Sequence, residues 1–580
     1  MKKTILALMS SFTVMTMIKA QTIQEGINHL NADRWQSAVS TFQKLLAANP
    51  NNIEASYWLG QTYFDMDDNN MAKGVYEKGL AASNNAPLLL VGMGHYNLLA
   101  NKANEARQNF ETALSMSKDK KGKDNPDILN AIGRAHTDAK AGDYKYAEQV
   151  LKAATESSPK NPDIFLNLGN AIRKARPGEA GRDAYQAYMN AMSVNPSYAY
   201  AYVRMAKLFE TQRNWDLVLE NLNKAVSVDP NFSLAFYELF YYYFSRKDFT
   251  GAENYFNKYI GSRPNESKVE HDYLNSQLCW AKKDYACAIA KAEGVKAAMG
   301  ANVKPRVYKQ LAYSYLGKSD FASAKKNVDE YFAKEKDEFV AADHKLKAEI
   351  YAGSGVPCDQ LYGIYMAGAA VDTVLQDKID YMTEAADDFK KRGCKSQEAD
   401  MRMAIYNTRI KPNPLGLINI AILYSQSDQL LRADSVISAY IPLQPDSILG
   451  YYWEGRILNS IDTTYSVEPY ITRMVNAYSK TLDLAALDKI RHKNLGNTAA
   501  LTLIHYYANV KKDREGAMTV ALKALDLDTA NVTMKGLIDQ LKIKTPTKQG
   551  GQKTPVKNSG SKPQATTPKS TTAANKAGGK

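Results

Sequence analysis

Apolar side chains recur along this chain at spacings of three and four residues, which places them on one face of an α-helix. The stretch EASYWLGQTYF, for example, has such a face between Tyr57 and Phe64. Amphipathic segments of this kind follow one another in pairs. Several pairs end at a proline, which cannot continue a helix. The pattern therefore predicts an all-α chain built from antiparallel helix pairs.

The pairs repeat with a period of 34 residues. Ala38, Ala72 and Ala106 are spaced by that interval, and each precedes an aromatic residue by four positions. A glycine stands twelve residues before each alanine, on the preceding helix; these glycines are Gly26, Gly60 and Gly94. We expect the missing side chain to let the second helix approach the first, and the rings to fill the space between neighbouring pairs.

Two segments carry this pattern most completely, WLGQTYF…AKGVYEKGL (58–80) and NLGNAIR…AYQAYMNAMSVNP (167–196). They resemble the tetratricopeptide repeat family. The resemblance implies a right-handed superhelical solenoid of antiparallel helix pairs, with about nine regular repeats over residues 21–336. Residues 337–542 resemble degenerate repeats that end in a capping helix.

The degenerate region departs from the period in two places. Residues 341–355 are expected to form a first helix without a clear partner, because Gly and Pro interrupt the following segment. A clean copy returns at 414–445, and residues 459–470 interrupt the next one. A last pair is expected at 498–531, followed by the cap.

The two ends of the chain differ from its body. Residues 1–20 combine basic residues with an apolar run, the layout of a secretory signal peptide, and no other stretch is apolar enough to span a bilayer. Residues 543–580 carry eight Lys and no acid and are predicted to be disordered. The net charge of +13 falls to +2 without these ends, which argues against nucleic acid as a partner. We expect an exported protein, in the periplasm or associated with the outer membrane.

Four cysteines remain in the exported chain, which permits disulfides. Proximity in the repeat scheme favours pairing Cys279 with Cys287 and Cys358 with Cys394, and unpaired buried thiols are the alternative. Their spacings do not resemble a zinc site.

Motifs of catalysis are missing from the sequence. The stretch AYSYLGKS (312–319) resembles a phosphate-binding loop only at its end, since Ala312 replaces the required first glycine. The seven histidines form no zinc-protease motif, and no nucleophile elbow occurs. The sequence therefore predicts no enzyme, no cofactor and no metal site.

The stretch FYELFYYYFSR (236–246) is the densest aromatic segment. Phe236, Leu239, Phe240 and Tyr243 form a stripe expected to face the core. A second stripe is predicted to point to the concave face, where this family takes its ligands, and equivalent slots of other repeats extend it. These candidate binding residues are Tyr200, Tyr237, Tyr241, Phe244, Tyr273, Trp280 and Tyr313. Packing against adjacent helices is the alternative role for these rings.

The expected function is a non-enzymatic scaffold that binds protein partners through its concave groove. The composition is similar to that of Bacteroidota-type envelope proteins, which suggests secretion, motility or outer-membrane assembly complexes. The Lys-rich tail offers a contact to anionic envelope surfaces. The alternative is a SusD-like protein that binds a glycan or cell-wall polymer, although such proteins normally carry a lipid-anchoring Cys that is missing here.

Overall fold

The computed structural model describes residues 22–179, 181–335 and 339–542. All regular elements in these residues are helical, so the all-α prediction is confirmed. The signal peptide predicted at 1–20 and the tail predicted at 543–580 lie outside the described residues. The chain divides between Val371 and Asp372 into two compact units.

The first unit contains ten consecutive helix pairs in its described residues. Its helices are α1 Ile23–Asn31, α2 Trp35–Ala48, α3 Ile53–Asp65, α4 Asn69–Ala82, α5 Pro87–Leu99, α6 Ala103–Ser117, α7 Pro126–Asp138, α8 Tyr144–Ser157, α9 Pro162–Ala175, α10 Gly181–Val194, α11 Ala199–Thr211, α12 Trp215–Val228, α13 Ser233–Ser245, α14 Phe249–Gly261, α15 Lys268–Ala281, α16 Tyr285–Met299, α17 Pro305–Gly317, α18 Phe321–Lys334, α19 Ala341–Gly353 and α20 Cys358–Val371.

The second unit contains four pairs and a final helix in its described residues. Its helices are α21 Leu375–Arg392, α22 Lys395–Thr408, α23 Leu415–Gln426, α24 Leu430–Tyr440, α25 Ile448–Ile461, α26 Tyr470–Leu487, α27 Lys489–His505, α28 Arg514–Leu527 and α29 Val532–Lys542.

The small residues of the repeat pack as the sequence indicates. A Cβ atom on Gly26 would lie 2.4 Å from the ring of Phe42, and one on Gly60 would lie 2.1 Å from the ring of Tyr76. The Tyr76 ring also meets Gly92 of the next pair, where a Cβ atom would lie 2.4 Å away. Each ring therefore sits against bare backbone of its own pair, and Tyr76 bridges two pairs.

The turn inside many pairs has one recurrent form. A residue with positive φ follows the first helix, and an Asp after it caps the second helix, as Asp67 and Asp68 do. The Asp68 carboxylate accepts a hydrogen bond from the Met71 backbone N–H at 3.0 Å. Asp248 and Asp284 cap α14 and α16 in the same way. Such caps satisfy backbone donors that the helix itself leaves unpaired.

The prediction that the helix at 341–355 lacks a clear partner was wrong, because α19 packs against α20. The Gly and Pro that suggested a break instead build the turn between these two helices. Gly355 takes a φ of +78°, and Pro357 stands directly before the first residue of α20. Glycine suits the positive φ of a tight turn, and proline suits the start of a helix. These residues therefore connect the two helices of a pair.

The interruption predicted at 459–470 corresponds to a loop at 462–469, between α25 and α26. Asp462 organises this loop, since its carboxylate accepts hydrogen bonds from the backbone N–H groups of Thr464, Ser466 and Val467 at 3.2, 2.7 and 2.8 Å. The longer connection therefore separates the two helices without ending the repeat pattern.

The first unit winds until its seventh pair meets its first. The Ser233 hydroxyl, at the start of α13, donates a hydrogen bond of 2.6 Å to the carbonyl oxygen of Ala32. Arg263, after α14, donates to the carbonyl oxygen of Asp33 at 2.6 Å, and its guanidinium lies 5.7 Å from the centre of the Trp35 ring. One superhelical turn is thus completed between the first pair and the seventh.

Glu266 completes this contact by capping α2 from the next turn. Arg34, at the N-cap position of α2, makes no side-chain cap. The Glu266 carboxylate instead accepts hydrogen bonds from the backbone N–H groups of Gln36 and Ser37 at 3.0 and 3.1 Å. The side chains of Arg263 and Glu266 are 2% and 0% exposed, and their charged groups are 4.0 Å apart. We call this set of contacts the closure.

Candidate functional site

The closed turn surrounds a cavity on the inner face of the first unit. It consists of two adjoining parts of about 730 and 260 Å³, which share Asn31, Arg134, Asp163 and Tyr200. Its walls come from first helices and from the loops that precede them, as a superhelix of this kind requires. We call this cavity the channel.

Acidic groups dominate the channel. Seven carboxylates and two guanidinium groups line it, namely Asp33, Glu54, Asp65, Asp127, Asp138, Asp163 and Asp229 with Arg134 and Arg204. Negative charges that face one shared cavity reinforce one another, because low-dielectric walls focus their field. The channel therefore favours a positively charged occupant.

Two of these carboxylates have raised pKa values. Burial raises the pKa of Asp33 to about 7, against the opposing effect of Arg263. Burial also raises the pKa of Asp65 to about 6, against the opposing effect of Arg134. The Asp65 side chain is exposed to the interior of the channel. Protein surrounds that interior, so solvation of the carboxylate is poorer there than at an open surface.

Asp163 is held in place by three donors. Its carboxylate accepts hydrogen bonds from the amides of Asn130 and Asn167 at 2.9 and 3.2 Å, and from the Tyr198 hydroxyl at 3.1 Å. Burial and the nearby Asp163 charge raise the pKa of Tyr198, which keeps the hydroxyl protonated and able to donate. This carboxylate is therefore a fixed point on the channel wall.

The two arginines lie against aromatic rings. The guanidinium of Arg134 is 4.6 Å from the centre of the Trp58 ring and 3.5 Å from the Asp138 carboxylate. The guanidinium of Arg204 is 4.7 Å from the centre of the Tyr200 ring and donates to the hydroxyl of that residue. Cation–π stacking, together with the Asp138 ion pair of Arg134, holds both guanidinium groups against the channel wall, where seven carboxylates outnumber them.

Of the predicted binding residues, Tyr200 borders the channel. Tyr237 and Tyr241 contact each other, with ring centres 5.0 Å apart, and the Tyr237 ring also lies 5.5 Å from that of Tyr259. The Tyr241 hydroxyl donates to the Gln277 side chain at 3.0 Å. Both tyrosines thus pack against other side chains of the first unit.

The other predicted rings lie in the same part of the first unit. Phe244 is 5.5 Å from Phe240, measured between ring centres, and Tyr273 is buried with the guanidinium of Arg306 4.5 Å from its ring centre. Trp280 donates its indole N–H to the carbonyl oxygen of Tyr313 at 3.3 Å, and their ring centres are 5.5 Å apart. These contacts show that the rings pack against other side chains of the first unit. Ligand binding by these rings stays a prediction.

Sequence reasoning missed the charged residues of the channel. Asn31 and Asp65 are separated by the repeat interval of 34 residues, and so are Asn170 and Arg204. The sequence therefore contained a signal for the channel, namely polar side chains at equivalent positions of successive first helices.

Cys279 and Cys287 form a disulfide, with an S–S distance of 2.06 Å and a Cα–Cα distance of 5.8 Å. The bond connects α15 to α16 within the eighth pair. Cys358 and Cys394 belong to different units, and their pairing with each other stays a prediction.

Two other kinds of feature, a metal-binding cluster and a membrane-spanning helix, are absent from the described part of the chain. There, His, Cys, Asp and Glu side chains form no group of three or more that could hold a metal ion. None of the described helices combines the length and apolar character that crossing a membrane requires.

Residues 23–87 match a model of the tetratricopeptide repeat family. Solved structures similar to this chain include part of a tetratricopeptide repeat protein from Cytophaga hutchinsonii, at 20% identity over 45% of this chain and 98% of that one, with a TM-score of 0.26. A tetratricopeptide repeat protein from Parabacteroides merdae is 18% identical over 44% of this chain and 96% of that one, with a TM-score of 0.37. A chain of the APC/C hetero-tetramer Cut9–Hcn1 is 14% identical over 89% of this chain and 95% of that one, with a TM-score of 0.37. Residues 23–87, which span the first two helix pairs, therefore carry tetratricopeptide repeats, and the same antiparallel helix pair recurs through both units.

Proposed function

We propose that this protein is a non-enzymatic scaffold that binds a cationic, extended segment of a protein partner in the channel of the first unit. Tetratricopeptide repeats support a protein-interaction scaffold in general. The observation that carries the finer proposal is the excess of carboxylates in an enclosed channel.

The geometry favours Lys and Arg side chains on the partner. Within the described residues, the carboxylates of Asp33 and Asp65 accept no hydrogen bond. The Asp163 carboxylate, in contrast, is already held by three donors. Carboxylates with remaining acceptor capacity form charge-assisted hydrogen bonds with Lys and Arg, which are stronger than neutral ones. A segment with basic residues would therefore find several acceptors along one path.

An extended backbone also suits the channel chemistry. Asn28, Asn31 and Asn195 line it together with the carboxylates, and their side-chain N–H groups donate no hydrogen bond within the described residues. An Asn side chain both donates and accepts hydrogen bonds, as a peptide backbone requires from its surroundings. A helix satisfies most of its backbone groups internally, so an extended chain gains more from these amides.

A peptide-binding measurement on the full chain tests this proposal. The probes are two fluorescent 15-residue peptides, one alternating Lys with Ser and the other alternating Glu with Ser. We expect fluorescence anisotropy at low salt to show at least about tenfold tighter binding of the Lys peptide, since each tenfold requires only about 1.4 kcal/mol. Added salt should weaken that binding by screening.

A pair of matched variants locates the binding. Asp33→Asn with Asp65→Asn removes two channel charges, and Asn tolerates the positive φ of 55° at residue 33. Glu105→Gln with Glu156→Gln removes two exposed charges outside the channel. The first variant should bind the Lys peptide about five- to tenfold more weakly, and the second as the wild type does. Equal affinity for both peptides, or equal loss in both variants, would contradict the proposal.

We place this scaffold in the cell envelope, exported by residues 1–20, in a secretion, motility or outer-membrane assembly complex. The basis is the sequence pattern alone: a basic start followed by an apolar run. Fractionation of cells that express the full chain, followed by N-terminal sequencing, tests the export. Recovery of the intact N-terminus in the cytoplasm would overturn it.

The eight Lys residues of 543–580 are proposed to contact anionic envelope surfaces. Replacing all eight with Gln should abolish low-salt sedimentation with envelope fragments. Sedimentation that persists in this variant would contradict the contact.

A further inference from the structure

The second unit has a groove of its own, lined by α21, α22 and α23, with a volume of about 750 Å³. The floor of the groove is apolar, made by Ile405, Tyr406, Ile420 and Leu423. Leu415 stands at its edge and is 49% exposed. An apolar floor with an exposed aliphatic side chain at its edge suits a partner that brings aliphatic side chains.

The rim of the groove is basic. Lys390, Lys395 and Arg409 line it and have no ion-pair partner within the described residues. Arg402 also lines it, but Glu398 and Asp387 neutralise that guanidinium at 2.8 and 3.4 Å. Three uncompensated positive charges therefore surround the apolar floor.

Lys395 is placed where it does not help the fold. It is the first residue of α22, and a positive charge at a helix N-terminus opposes the helix dipole. Cys394, at the N-cap position, supplies no side-chain hydrogen bond that would offset this. Lys395 is therefore a cation without an ion-pair partner in the described residues, placed at the edge of the groove where it can meet a negatively charged ligand.

From the basic rim and the apolar floor, we infer that this groove is a second docking site, which takes an acidic amphipathic segment of a protein partner. Carboxylates of the segment pair with Lys390, Lys395 and Arg409, and its aliphatic side chains cover Leu415 and the floor. Its charge preference is opposite to that of the channel, so the two units recruit different segments. This site does not depend on the proposed role of the channel.

The test uses the full chain and a fluorescent 14-residue peptide with Leu at helical spacing and Glu elsewhere. Its counterpart has Lys in place of every Glu, and a third peptide has Ser in place of every Leu. We expect anisotropy to show the tightest binding for the Glu–Leu peptide. Loss of the leucines should weaken binding, because apolar burial contributes along with charge.

Charge reversal at the rim is the decisive variant. Lys390→Glu, Lys395→Glu and Arg409→Glu together should weaken binding of the Glu–Leu peptide about 10- to 100-fold. The control carries the same change in net charge at exposed residues that do not line the groove, Lys391→Glu, Lys411→Glu and Lys480→Glu. It should retain affinity within about threefold, and circular dichroism confirms that both variants are folded.

A neutral variant separates docking from general attraction. Leu415→Ser leaves every charge in place and changes a half-exposed side chain, and it should weaken binding about three- to tenfold. Binding that survives the rim reversal would place the peptide elsewhere, for example on the eight Lys residues of 543–580, and would overturn the inference. So would an equal loss in the rim variant and its control, or rim-dependent binding to phosphatidylglycerol vesicles without any binding of the peptide.

Discussion

The two units use the same helix pair and present opposite chemistry. The first unit has enough pairs for its seventh to reach its first, and the enclosed inner face collects seven carboxylates. The second unit has four pairs and a final helix in its described residues, fewer than the first unit needs for one turn, and its groove has a basic rim. In the first unit the number of stacked pairs encloses the inner face, whereas the described part of the second unit has too few pairs for the same closure.

The largest expected effect comes from the closure. Arg263→Met removes the cation beside the buried Glu266 carboxylate and the donor to Asp33. Breaking one side of a buried pair costs about 3 kcal/mol or more, so we expect the free energy of unfolding in urea to fall by about that amount.

An exposed ion pair in the second unit serves as the comparison for the buried pair of the closure. Lys489 and Asp526 are 44% and 68% exposed, so Lys489→Met should cost less than about 0.5 kcal/mol. Similar small losses in both variants would show that the closure adds little to the first unit.

Replacing a glycine with alanine is expected to change stability in opposite directions in the two units. Gly60→Ala places a Cβ atom 2.1 Å from the Tyr76 ring, which Gly92 also confines, and should destabilise the first unit by about 2 kcal/mol. Gly536→Ala, in α29, meets nothing within 4 Å and should stabilise that helix by about 0.5–1 kcal/mol. Urea unfolding followed by circular dichroism measures both. If Gly60→Ala is neutral or stabilising, the close packing of the repeat does not hold at that position.

A smaller effect distinguishes the two sites by pH. Asp33 and Asp65, with pKa values of about 7 and about 6, lose protons as pH rises from about 5 to 8. Binding of the Lys peptide should therefore strengthen about tenfold over that range, whereas Lys and Arg at the groove keep their charge. Anisotropy titrations at several pH values measure this. A Lys-peptide affinity that stays flat, or that weakens with pH, would contradict the charge account of the channel.

The same raised pKa values affect stability with a definite sign. Between about pH 4 and 7 the folded chain keeps protons on Asp33 and Asp65 that the unfolded chain has lost. Their contribution to the free energy of unfolding therefore falls as pH rises through this window. Asp33→Asn with Asp65→Asn should flatten that fall, which urea unfolding at pH 5 and pH 8 tests. An unchanged pH dependence in the variant would exclude these two groups as its source.

The repeat itself could be predicted from sequence because its determinants are local. Gly60 and Tyr76 are 16 residues apart, and their contact follows from the period of the pattern. The helix at 341–353 shows the limit of a prediction based on the period. Gly355 and Pro357 predicted a break in the repeat, whereas they lie in the turn between α19 and α20. Turn residues separate helices of a pair as readily as they end an array.

The channel could not be predicted in the same way. Asp33 and Arg204 line one cavity although 171 residues separate them, and their proximity follows from small rotations summed over many pairs. No local pattern encodes that sum. The register predicts a concave position for Tyr237 and Tyr241. Their observed neighbours are Tyr259 and Gln277, and ligand binding by these two rings stays a prediction.

The central claim is that the two units recognise segments of opposite charge, and one measurement tests it most directly. The Lys peptide and the Glu–Leu peptide are titrated separately against the wild type, the Asp33→Asn/Asp65→Asn variant and the Lys390→Glu/Lys395→Glu/Arg409→Glu variant. The account predicts that the first variant weakens only the Lys peptide and that the second weakens only the Glu–Leu peptide. A variant that weakens both peptides alike, or neither, would contradict it.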